Sequence, residues 1–178
     1  MTDFSKRIKI YRGDITKIGV DAIVNAANTS LLGGGGVDGA IHMAAGPKLL
    51  EECRELNGCA IGQAKITSGY NLPSPFVIHT VGPIWQGGNH GEDRKLALCY
   101  YNSLRLAKEY QLTTIAFPAI STGAYGYPKN RATQIALKTV CNYLNEDHTI
   151  FKVYFVVFSQ DMENIYNKIF EELCNEFK

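Results

Sequence analysis

No CxxC pair occurs in this sequence of 178 residues, and its five cysteines (Cys53, Cys59, Cys99, Cys141 and Cys174) are scattered and odd in number. That excludes the spacing of a structural zinc site and argues against a disulfide framework. Free thiols in a reducing cytoplasm are the expectation instead. Charge of either sign is not in excess: 18 Lys plus Arg stand against 17 Asp plus Glu, a formal +1. A chain held on nucleic acid or anionic lipid mainly by bulk charge needs more than that, so neither partner is expected. No apolar run approaches the ~20 residues that cross a bilayer. The opening MTDFSKR has mixed charge and no apolar stretch, so no signal peptide is expected. Repeats, low-complexity tracts and linkers are also missing. One domain over 1–178 is therefore the expectation, with a monomer as the default state.

What is present is an ordinary folded composition, 46% hydrophobic and 20% charged, arranged in a clear alternation. Residues 8–12 (IKIYR), 22–26 (AIVNA), 64–68 (AKITS), 76–81 (FVIHTV), 114–119 (TIAFPA) and 153–158 (VYFVVF) read as strands. Several are near-continuous apolar runs, as parallel strands covered on both faces require. Residues 37–45, 47–56, 93–110, 129–145 and 161–177 carry helical period. In the third of these, Leu96, Cys99, Tyr100, Ser103, Leu104 and Ala107 form one apolar stripe. In the last, Ile165, Ile169, Leu173 and Phe177 recur every fourth position, with Glu163, Lys168, Glu171 and Glu172 left for water. Pro47 and Pro128 fall where a first helical turn tolerates a missing N–H. Strands alternating with helices predict an α/β protein, a three-layer α/β/α sandwich on a central mixed, mostly parallel sheet. The stretch 82–92 (GPIWQGGNHGE) has no pattern and reads as a surface loop, with Trp85 packing on its own loop rather than covering a ligand.

Open sheets of this class bind ligands at the carboxyl ends of their strands. Two strand-to-helix junctions there are rich in glycine. The first, Asn25 through His42, carries Gly33, Gly34, Gly35 and Gly36 directly before a helix. Its N–H groups and the helix start suit an anion such as phosphate. The second, STGAYGYP at 121–128, again offers glycines, hydroxyls and backbone donors. Two such loops at one sheet edge point to a clamp on a diphosphate. Gly34, Gly36 and Gly39 match GxGxxG, but they follow the second strand, and the next strand ends without the acid a dinucleotide's ribose requires. A dehydrogenase is thus disfavoured. No Walker lysine follows the glycines, and neither GxSxG nor HExxH occurs.

Asp38 is the oddity, a carboxylate at a helix start beside an expected phosphate site. A plain helix-starting Asp is one reading; a group that holds a sugar hydroxyl or a water is the other. His42, four residues on, shares its helical face and is placed to orient it. Asp14 ends the first strand and suits either an N-cap or an acceptor for an exocyclic amine. His79, inside an apolar strand, reads as a satisfied core histidine.

Taken together, RGDIT (12–16), IVNAAN (23–28), GGGGVDGAIH (33–42), HTVGP (79–83), FPAISTG (117–123) and YGYP (125–128) resemble the macrodomain family, of the MacroD type, over nearly the whole chain. The resemblance implies an α/β/α fold that binds ADP-ribose. It also implies hydrolysis of mono-ADP-ribose from acidic side chains of proteins and deacetylation of O-acetyl-ADP-ribose, so those molecules are the expected partners. Carried over by residue, Asp14 accepts from the adenine amine with the Ile15 N–H nearby. Gly35, Gly36 and Val37 hold one phosphate, and Ser121, Thr122, Gly123, Ala124 and Tyr125 the other. Asn28 bonds the distal ribose, Asp38 binds that ribose or activates water, and His42 supports Asp38. Tyr125 packs on the distal ribose, and Phe158 is the candidate for stacking on adenine. No cofactor and no metal are implied, and the substrate's own phosphate is an alternative activator of the water. A non-catalytic ADP-ribose reader is the main rival reading, and an RNA-binding role through the same pocket has little electrostatic support.

Overall fold

Strands β1 (Ile8–Arg12), β2 (Ala22–Ala27), β3 (Ala64–Ser68), β4 (Phe76–Val81), β5 (Thr114–Phe117) and β6 (Lys152–Val157) form one sheet in the order β1-β6-β5-β2-β4-β3. The structure is a computed structural model that describes residues 4–177. Only β3 runs antiparallel, against β4; the other neighbouring pairs are parallel. Helices α2 (Gly36–Ala45) and α3 (Pro47–Glu55) cover one face of the sheet. Helices α4 (Glu92–Glu109), α5 (Lys129–Glu146) and α6 (Gln160–Glu176) cover the other. This is the three-layer α/β/α sandwich expected from the alternation. No helix among the described residues is long and apolar enough to cross a membrane.

The period-two alternation of each strand decides which layer it feeds. Ala22 and Val24 of β2 join the core under α4 to α6, while Ile23 and Ala27 join the core under α2 and α3. On β4, Ile78 faces the first of these and Val77 and Val81 the second. Asn25 and His79 fall on the α2–α3 side by the same count, and both are wholly buried.

Three details differ from the sequence reading. A short helix α1 (Phe4–Arg7) precedes β1, and its Arg7 donates to the carbonyls of Leu144, Asp147 and Ile150 beyond the strands' amino ends. The buried line of α6 is Met162, Tyr166, Ile169 and Leu173, with Ile165 half-buried and Phe177 36% exposed. A strict four-residue repeat drifts about 40° per step around a helix of 3.6 residues per turn, so it leaves the buried face within three steps. Pro128 is the N-cap of α5 rather than its first helical residue, so the second loop runs directly into the helix at Lys129.

The sheet is not closed evenly along its length. β2 pairs with β4 at all six positions, from Ala22↔Phe76 to Ala27↔Val81. With β5 it pairs only at Ala22↔Ile115 and Ile23↔Ala116. Beyond these the two strands part, and Pro118 brings no N–H with which to continue the ladder. The order in which the chain adds strands also reverses here, since the connection after β2 crosses one face and that after β5 the other. A crevice opens at this switch point.

The loop 82–91 is tied down by an acid. The Glu92 carboxylate accepts from the N–H groups of Gln86 (2.9 Å), Gly88 (2.8 Å) and His90 (2.6 Å). Burial opposes its ionisation, but these donors outweigh that and hold its pKa at about 2. Its folded value thus lies below the ordinary 4.5, so its stabilisation is complete above about 4.5 and is lost as pH falls toward 2. Glu92→Gln is expected to melt lower at neutral pH and to show a shallower acid decline of Tm across that window. A variant whose Tm tracks wild type at every pH would remove Glu92 from this role. Trp85 packs on Tyr127 (centroids 4.8 Å apart) with the Arg131 guanidinium 5.1 Å from its ring, so it rests on the second loop and α5 rather than on its own loop alone, and it does not line the crevice.

Candidate functional site

The crevice is a cleft of about 500 Å³ over the carboxyl ends of β2, β5 and β6. Its first wall is the glycine loop. Gly33 and Gly36 have φ of +91° and +57°, which L side chains rarely adopt. Gly35 caps α2 without any side-chain hydrogen bond. A Cβ added at Gly35 or Gly36 would meet nothing within 4 Å, so there is room at the start of α2, whose first N–H groups have no partner within the helix. Such a helix start with room before it is a site for an anion.

Asn28 and Asp38 meet over Gly34. A Cβ built there would stand 3.0 Å from Asp38 Oδ2 and 3.3 Å from Asn28 Nδ2. Asn28 also organises the loop: Oδ1 accepts from Ser30 N–H, Ser30 Oγ and Leu31 N–H, and Nδ2 donates to Gly33 O at 2.8 Å. Asp38 is buried, and its two oxygens are not equivalent. Oδ1 accepts from Asn25 Nδ2 at 2.8 Å and lies 3.4 Å from His42 Nε2. Oδ2 is the oxygen turned to Gly34 and the cleft. His42 does not line the cleft; it touches Asp38 from behind, as its i+4 position predicts.

The second wall is the loop after β5. Ser121 has φ of +67°, and Tyr127 N–H donates to Ser121 O to close the turn. The N–H groups of Gly123, Ala124 and Tyr125 have no acceptor among the described residues, and Thr122 Oγ1 is spent on Ala119 O. Ser121 Oγ is buried beside the cleft without a hydrogen-bond partner among the described residues. Gly82, at the end of β4, makes room for it; a Cβ there would come 2.1 Å from Ser121 Oγ. Tyr125 lines the cleft and its carbonyl is held by Trp85 N–H at 2.9 Å.

At the far end Phe158 stands one residue past β6, 67% exposed, with its ring on the cleft wall. Asp14 and Ile15 lie outside that wall. Asp14 is the N-cap of a single 3-10 turn (Ile15–Lys17), accepting through Oδ1 from the Thr16 hydroxyl (2.7 Å) and the Thr16 N–H (2.9 Å). These two bonds hold its carboxyl below the usual range. Oδ2 makes no hydrogen bond among the described residues. The Ile15 side chain belongs to the core.

A family model for the Macro domain matches residues 24–136. The chain belongs to the macro domain family. This macrodomain is 63% identical over 155 residues to a macro domain-containing protein of Methanosarcina mazei, covering 87% of this chain and 83% of that one. To human ADP-ribose glycohydrolase MACROD2 it is 54% identical over 177 residues, covering 97% of this chain but 40% of that protein. The Oceanobacillus iheyensis macrodomain with ADP has the same fold at a TM-score of 0.90, with 47% identity, over 95% of this chain and 92% of that one. The MacroD-type resemblance read from the motifs therefore stands.

One residue of the macrodomain's site was not picked out in the sequence. Asn25 carries the hydrogen bond that fixes Asp38. The available signal was an Asn inside an apolar strand, at a position where alternation demands burial. His79 was read as a satisfied core histidine and is one, bonded through Nδ1 to Asn25 (3.1 Å) and through Nε2 to Thr67 Oγ1 (2.9 Å).

Proposed function

We propose that this macrodomain binds ADP-ribose in the cleft and hydrolyses its esters, removing mono-ADP-ribose from Asp and Glu side chains of proteins and deacetylating O-acetyl-ADP-ribose. The carrying observation is Asp38: one oxygen is occupied by Asn25 and His42, and the other is turned to Gly34 of the glycine loop, which Asn28 Nδ2 also approaches. Pure binding of a diphosphate gains nothing from a carboxylate there, since like charges repel. A water between Oδ2 and the ester gives up a proton to Asp38 as its oxygen adds to the ester carbonyl carbon. The acyl C–O bond to the ribose then breaks, and Asp38 returns the proton to the leaving ribose oxygen, freeing a carboxylic acid and ADP-ribose. The relatives named ADP-ribose glycohydrolase support the hydrolytic reading.

The rest of the cleft serves to hold the substrate. The open N–H groups at the start of α2, near Gly35, Gly36 and Val37, take one phosphate, and those of Gly123, Ala124 and Tyr125 the other. Asn28 Nδ2 bonds the distal ribose, whose face Tyr125 covers. Phe158 offers an unpaired ring to adenine, and Asp14 Oδ2 takes its amine. Holding the ester beside a fixed water supplies much of the rate by proximity. A reducing cytoplasm is the compartment we propose, in keeping with five free cysteines.

The test pairs calorimetry with ADP-ribose against release of ADP-ribose from a protein modified on Glu or Asp. Binding with release supports the proposal; binding without release leaves a reader module. Asp14→Ala is expected to weaken ADP-ribose affinity by about tenfold, the scale of one lost charge-assisted hydrogen bond. Unchanged affinity would take Asp14 out of the adenine site.

A further inference from the structure

We propose that His79 is a positioning residue for Asp38: held by Thr67 with its proton on Nε2, it forces the Asn25 amide to donate to Asp38 and so aims Oδ2 into the cleft. The inference rests on Asp38 taking the water's proton, as proposed above.

The direction of each bond follows from the outermost one. Thr67 Oγ1 donates to the carbonyl of Ser68 at 3.1 Å, because a carbonyl only accepts. Its oxygen, 2.9 Å from His79 Nε2, must then accept, so Nε2 carries the ring proton. His79 is wholly buried, and burial, assisted by nearby His42, pushes its pKa down to about 3. The ring is thus neutral near pH 7, and Nδ1 is a bare acceptor. Asn25 Nδ2 lies 3.1 Å from that nitrogen and 2.8 Å from Asp38 Oδ1, and its two hydrogens serve both.

A flipped Asn25 amide would set its oxygen against two acceptors at once. The chain therefore locks the amide, although Asn25 Oδ1 is left buried without a partner among the described residues. An amide free to rotate would not leave its carbonyl dry, so that orphan atom marks an orientation imposed from outside. Its consequence is on Asp38. With Asn25 and His42 both on Oδ1, the carboxylate cannot rotate to exchange its oxygens without breaking the row. The other group facing His79, the Cys53 thiol 3.8 Å from Nε2, is kept protonated by burial, with a pKa raised to about 11. It adds no charge.

The row is assembled from β2, β4 and β3 beneath α2 and α3. Asn25 and His79 are register partners across β2 and β4. Its members touch no part of the cleft except through Asp38. Removing His79 should thus alter turnover and spare ligand affinity.

Two variants separate positioning from packing. In His79→Asn the amide oxygen takes the place of Nδ1 and still accepts from Asn25; in His79→Gln the amide reaches the place of Nε2 and leaves Asn25 unopposed. His79→Asn is expected to keep kcat for ester hydrolysis within about threefold of wild type, and His79→Gln to lose about tenfold or more, with ADP-ribose Kd unchanged in both. Packing alone predicts the reverse order, since Gln fills more of the imidazole's volume. Nitrogen NMR of the wild-type protein is the second readout. It should show His79 protonated on Nε2 only, without titration from about pH 5 to 8. A proton on Nδ1, or equal kcat in the two variants beside an active wild type, overturns the inference alone. Binding without turnover by wild type overturns the functional reading, and this catalytic role with it.

Discussion

Asp38→Ala is expected to cut ADP-ribosyl-ester hydrolysis by about 10²-fold or more, the contribution typical of a positioned general base. ADP-ribose affinity should change by no more than about threefold, because the carboxylate contributes to the reacting end of the cleft and not to the phosphate donors. The physical ground is the inequality of its two oxygens: Asn25 and His42 hold Oδ1, while Oδ2 faces Gly34. Single-turnover release of ADP-ribose from a modified protein reads the effect directly. Turnover of the variant within a fewfold of wild type would dismiss Asp38 and shift the task to the substrate's own phosphate. Asn28→Ala is a poorer probe than the sequence suggests. That side chain makes four hydrogen bonds within residues 28–33, so its loss disturbs the loop as well as any contact to ribose.

Arg7→Met is expected to lower stability by about 3–5 kcal/mol, as when one member of a buried charged network is removed. The guanidinium donates to Leu144 O (2.7 Å), Asp147 O (2.6 Å) and Ile150 O (3.0 Å), carbonyls at the end of α5 and in the turn to β6. The residue is buried, 8% exposed, so water reaches those carbonyls poorly. For a domain of this size the loss corresponds to roughly 10 °C in Tm. Arg7 precedes β1 at the amino end of the parallel strands, while the cleft lies at their carboxyl ends. Hydrolysis per folded molecule should therefore be unchanged below the melting range. Calorimetric melting within about 2 °C of wild type would show that the carbonyls find other donors.

The two expectations differ in how visible they were beforehand. Asp38 and His42 lie four residues apart on one helix, and a helix fixes their common face by its pitch alone. Asp14 as an N-cap and the glycine loops are local in the same sense, whereas Trp85 rests on Tyr127 from a distant loop. Arg7 was not legible: it bonds residues 137 to 143 positions away, and nothing around it has a pattern that names them. Phe177 misled for a related reason, because a repeat of four resembles a helical stripe until its drift is followed.

By itself, then, the sequence determined the strands and the main helices, their order, the three-layer architecture, the family, and both loops that border the cleft. All of these follow from period, turn chemistry or motif, which act over a few residues. The tertiary structure alone decided that β2 leaves β5 after two pairs, so that a cleft opens between the loops. It alone brought Asn25 to His79 across 54 positions, and Thr67 to the other side of the same imidazole. Alternation tells which face of a strand a residue occupies; only the pairing of strands tells which residue will be its neighbour.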